Sequence, residues 1–144
     1  MATKATATAS KIAKKLDAIQ DECQSILDSV LGDNQSVVFA ALSTVDGNSF
    51  AYAGTNEEIV DNRIAAMTSS LLALSESLSK EALKGMCSYN AVSTNYGSIV
   101  TVRVPTKRKL HALSLCTDKS DNMAMAMRLS FDTADKLAHV IGHP

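Results

Sequence analysis

Apolar residues recur along this 144-residue chain with two different periods. From Lys11 to Leu31, Ile12, Leu16, Ile19, Cys23, Ile26, Leu27 and Val30 fall at helical spacing. Ser10 is a suitable N-cap, and Gly32 suits the left-handed residue that ends a helix. Lys11, Lys14 and Lys15 sit early on this helix while Glu22 and Asp28 sit late, against its dipole. Such a helix depends on packing its stripe against something else. Ahead of it, Ala and Thr alternate around one lysine. With little bulk to bury, residues 1–10 are expected to be a disordered tail, leaving 11–144 as one domain.

The period then shortens to that of strands. Val37–Leu42 and Phe50–Ala53 flank Asp46-Gly47, a hairpin signal, and Gly54–Glu58 reads as a loop. Asp61 or Asn62 opens the clearest helix, which ends near Gly85. Its seam of Ile64, Met67, Leu71, Leu74 and Leu78 steps by three and four between small residues (Ala65, Ala66, Ser69, Ser70, Ala73, Ser77). That seam suits core packing against a sheet, and equally a close approach to a partner helix. Ser88–Ser93 is a weak, polar strand and Asn95-Tyr96-Gly97 a turn. Ile99–Val104 is strongly β-branched, Pro105–Lys109 turns again, and Leu110–Leu115 returns. A last helix runs from about Asn122 to Ile141. The predicted order is α-β-β-α-β-β-β-α. Its short connections predict a five-stranded antiparallel sheet with three helices, an α+β layered fold.

Composition narrows the function. An apolar fraction of 46% with 20% charged residues is that of an ordinary globular chain. Fourteen basic residues against fifteen acidic ones give no general field for nucleic acid, and six aromatics without a tryptophan supply no base-stacking platform. No apolar run reaches the ~20 residues of a membrane span, so no membrane insertion is expected. Three scattered cysteines make no disulfide framework, which favours a cytoplasmic setting.

Candidate chemistry is sparse. There is no Gly-rich phosphate loop and no Gly-x-Ser-x-Gly elbow. His139 and His143 stand four apart, but no Glu or Cys accompanies them, so no metal site is expected. An enzyme or ligand sensor built on Cys87, His111 and Cys116 would need an orienting group and an electropositive setting that nothing marks. Neither an enzymatic activity nor a cofactor is expected. Charge placement says more. Asp17 to Asp61 holds nine acids and no base, and Lys84 to Lys109 five bases and no acid. Arg103, Lys107, Arg108 and Lys109 cluster around one turn, as a contact patch for an acidic partner or phosphate, or as a solvated hairpin tip.

Several segments together resemble the Roadblock/LC7 family. These are Val37–Leu42 with the Asp46-Gly47 turn, the helix from Arg63 to Glu76, the pair Ser98–Val104 and Leu110–Leu115, and Asp121-Asn122-Met123 opening the last helix. The similarity spans about Asp33 to Leu129, and the first and last helices resemble extensions of bacterial MglB-type members. The resemblance implies a profilin-like fold and a non-catalytic homodimer that regulates or scaffolds a small Ras-like GTPase. A light-chain-type structural subunit of a motor or signalling assembly, without a GTPase, is the alternative. It further implies pairing through the central helix and an edge strand, here Ile64, Met67, Leu71, Leu74 and Leu78 with Cys87, Ser88, Asn90 and Val92. No arginine finger is evident. Arg63 and Arg128 qualify by residue type alone, so GTPase activation would work by positioning the GTPase's own groups.

Overall fold

The computed structural model describes residues 2–56 and 61–142. The elements are α1 (Ala2–Asp33), β1 (Val37–Thr44), β2 (Ser49–Gly54), α2 (Asp61–Leu83), β3 (Tyr89–Thr94), β4 (Gly97–Arg103), β5 (His111–Asp118) and α3 (Met123–Gly142). This is the predicted order. The five strands form one antiparallel sheet in the order β2-β1-β5-β4-β3. Part of the loop read over Gly54–Glu58, and His143 of the histidine pair, lie outside the described residues.

Alternation along the strands divides the sheet into two unlike faces. On one face Ala40 and Leu42 of β1, Val102 of β4, and Leu113 and Leu115 of β5 meet Cys23, Leu27 and Val30 of α1 and Ala134 and Leu137 of α3. This is the aliphatic core, with Leu27, Leu42, Leu113, Leu115 and Leu137 wholly buried. The other face carries α2. There the buried contacts are mostly small or polar: Ala65, Thr68 and Leu72 of α2 lie over Ala41, Ser43, Thr101 and Ser114. Ser114 Oγ shares hydrogen bonds with Thr68 Oγ1 at 2.8 Å and Thr101 Oγ1 at 3.0 Å, so the three buried hydroxyls satisfy one another.

α1 starts at Ala2, so the segment 2–10 expected to be disordered continues the helix. Alanine is the best helix former, and Thr8 Oγ1 bonds back to the Lys4 carbonyl at 2.9 Å. Every described side chain from Thr3 to Ala18 is exposed, so helix propensity and not burial accounts for the extension. At the other end the helix runs through Gly32 to Asp33, and the Asn34 amide caps it by donating to the Val30 carbonyl. α2 is closed by Lys84 in the left-handed region (φ 52), one residue ahead of the glycine suited to that place. Two turns demand glycine. Gly47 (φ 95) completes the Asp46-Gly47 hairpin, and at Gly97 (φ 150) a Cβ would overlap the Thr117 carbonyl.

Candidate partner-binding interface

The large side chains of α2 point away from the sheet. Met67, Leu74 and Leu78 are 58%, 70% and 69% exposed, while Ile64 and Leu71 are half-buried at the margin. Of the two roles open to the seam, core packing is filled by its smaller neighbours instead. A 23-residue helix places a stripe on each side, and here the stripe nearest the sheet is Ala65, Thr68 and Leu72. At the helix end and just past it, Leu83 and Met86 are 84% and 67% exposed, extending the apolar surface.

β3 borders this surface and ends the sheet. Val92 is 41% exposed, Ser88 is exposed, and Cys87 and Asn90 are half-buried. Asn90 faces α2, and its Oδ1 accepts from the Ser75 hydroxyl at 2.8 Å, while its Nδ2 is buried without a partner. Glu76 of α2 accepts from the Cys87 backbone N–H at 3.1 Å and approaches Arg103 Nη2 at 4.0 Å. The predicted interface residues of α2 and β3 therefore lie on neighbouring elements, tied by Ser75 and Glu76.

The two sheet edges differ. β2 is covered by α1: the Gln24 amide donates to the Tyr52 carbonyl at 2.6 Å and accepts from the Tyr52 N–H at 3.1 Å. Gln20 donates to the Phe50 carbonyl at 2.7 Å. A side chain thus replaces the missing strand. Along β3, the one comparable contact among the described residues is the Cys87 thiol, 3.6 Å from the Tyr89 carbonyl. An edge left so open is a template for another strand.

No protein-family model matches the chain, and no curated protein matches it in sequence. Solved structures do. MglB from Myxococcus xanthus superposes with a TM-score of 0.74 at 15% identity, over 84% of this chain and 88% of that one. An MglB with a tetrameric arrangement gives 0.75 at 14%, over 85% and 90%. A Roadblock/LC7 domain from Streptomyces avermitilis gives 0.70 at 13%, over 81% and 94%. The chain has a Roadblock/LC7-type, MglB-like fold.

In this Roadblock/LC7-type fold the other candidate residues are dispersed. The basic cluster divides: Arg103 lies on the α2 face beside Glu76, whereas Lys107 and Arg108 line a cleft on the α1/α3 side with Lys15. Lys109 occupies the turn with positive φ (51). The join to Lys15 spans 92 residues and has no local signal. Cys116 and His111 stand five apart on β5, hence on opposite faces, and Cys87 precedes the far edge strand. Burial pushes the Cys23 thiol up to about 11 and, helped by Asp118, raises that of Cys116, the reverse of thiolate activation. Cys87, His111 and Cys116 are therefore not brought together in one site. Among the described residues no group of three or more potential ligands could hold a metal, and no helix is long and apolar enough to cross a membrane.

Proposed function

We propose that the chain is a non-catalytic, self-associating regulator or scaffold of a small Ras-like GTPase, and that two copies meet through α2 and β3. One observation carries this reading: the aliphatic seam of α2 faces outward beside the open edge of β3. A two-fold contact there would cover Met67, Leu74 and Leu78 and continue the sheet from one β3 to the other. The likeness to MglB, one structure of which is tetrameric, favours self-association. The GTPase partner rests on the resemblance to MglB-type Roadblock proteins. With no arginine finger marked in the sequence, the chain would act by positioning the GTPase's own groups.

Light scattering after size exclusion tests the assembly. Wild type should run at twice the chain mass at tens of micromolar, and Leu74→Glu should run at the chain mass with its circular dichroism unchanged. A wild-type monomer would remove the dimer. Pull-down with small GTPases loaded with GDP or a GTP analogue tests the partner. Binding in neither state, with large assembly subunits captured instead, would give the light-chain role.

A further inference from the structure

Cations from distant parts of the chain converge on one cleft. On the α1/α3 side, the β4–β5 turn lies against the first half of α1 and the end of α3, leaving a hollow of about 520 Å³. That volume is in the range of small-molecule sites. Ile19 of α1, Leu110 just ahead of β5 and Ile141 of α3 give it aliphatic walls, while Lys15 of α1 and Lys107 and Arg108 of the turn supply positive charge. Among the described residues no acidic side chain lines it, and neither ion pair involves these cations. His111 completes the wall, with its Nδ1 buried and lacking a hydrogen-bond partner.

Two features of this hollow are unfavourable when only water fills it. Three like charges repel one another, and the aliphatic surface is wet. A ligand relieving both has an anionic head on an apolar stem. A guanidinium fork and two ammonium groups exceed the single charge of a carboxylate. They match a phosphate monoester, which carries about −1.5 to −2 near neutral pH. We infer that this cleft binds a phosphate monoester borne on an apolar chain. The phosphate is held by Lys15, Lys107 and Arg108, and the chain lies on Ile19, Leu110 and Ile141. A soluble alkyl phosphate and the headgroup of phosphatidic acid offer this same chemistry. The cleft lies across the sheet from α2, so its occupancy does not depend on self-association.

Calorimetry of the full chain with monooctyl phosphate and with inorganic phosphate tests the site, beside flotation with phosphatidylcholine vesicles containing or lacking phosphatidic acid. Monooctyl phosphate should saturate one site per chain, and inorganic phosphate should bind at least roughly tenfold more weakly, since it leaves the aliphatic walls wet. Lys107→Gln and Arg108→Gln, both at exposed positions, should each weaken monooctyl phosphate by roughly tenfold. Leu110→Ser should weaken monooctyl phosphate and leave inorganic phosphate unchanged. Flotation that requires phosphatidic acid assigns the ligand to a bilayer, and binding without flotation assigns it to solution. The inference is overturned if neither probe binds, if Lys15→Gln combined with Arg108→Gln leaves binding unchanged, or if an acidic peptide binds where monooctyl phosphate does not.

Discussion

The two sides of the sheet are built on different rules. Toward α1 and α3, large aliphatic side chains interlock, and α1 also reaches over the β2 edge with Gln20 and Gln24. Toward α2, the contact is mostly alanine, serine and threonine around a single buried leucine, Leu72, the helix turns Met67, Leu74 and Leu78 outward, and β3 is left open. One side is finished within the chain and the other leaves apolar surface and a strand edge uncovered. The difference teaches where to look for function: apolar surface that a fold could have buried, and did not, marks a contact.

That contrast can be broken by substitution. Leu113→Ala, at a wholly buried position among Leu42, Val102 and Leu137, should cost about 2–5 kcal/mol in urea unfolding. Ser114→Ala, on the α2 side of the same strand, removes the hydroxyl that joins Thr68 and Thr101. It should cost about 1–3 kcal/mol by the same measurement, because two buried hydroxyls lose their partner. Were the two losses equal, the faces would not differ as described. Gln24→Ala should cost roughly 1 kcal/mol and expose the Tyr52 N–H and carbonyl, turning the β2 edge into a second sticky strand. Light scattering on heating should show earlier aggregation than wild type.

The smallest effect concerns protons. Burial depresses the His111 pKa below its ordinary 6.5, so the folded state holds this imidazole neutral and the unfolded chain binds the proton more readily. Its contribution to stability is present above about pH 6.5 and is lost as the pH falls through that value toward the folded pKa. His111→Phe should flatten the fall of the urea midpoint between pH 7 and pH 5. An unchanged slope would show that His111 is not the group responsible.

Much of this fold was legible in the sequence, and the reasons it was not all legible are physical. Strand alternation, the Asp46-Gly47 turn and the helical stripes gave the element order and the sheet composition. The same logic marks Ile64, Met67, Leu71, Leu74 and Leu78 on α2 without saying which way they face, because periodicity reports a stripe and not its neighbour. The stripe that the sheet received is Ala65, Thr68 and Leu72, a single leucine beside a small and a polar residue, which does not stand out. The grouping of Arg103 with Lys107 and Arg108 failed because the strand places Arg103 on the α2 side before the turn carries the others to the opposite side. The Gln24 clamp on Tyr52 and the meeting of Lys15 with Arg108 are long-range, and no local pattern announces them.

The hydroxyls of Thr68, Ser114 and Thr101 have one more consequence. Aliphatic contacts tolerate rotation and sliding, since any neighbour of the right size will do, whereas a hydrogen bond has a direction and a fixed reach. A helix turns by about 100° per residue, so a slip of one position would swing Leu74 far around the axis. Bonded to Ser114 at 2.8 Å, Thr68 acts as a detent that indexes α2. The aim of the exposed leucines is set from beneath, by the most modest side chains in the molecule.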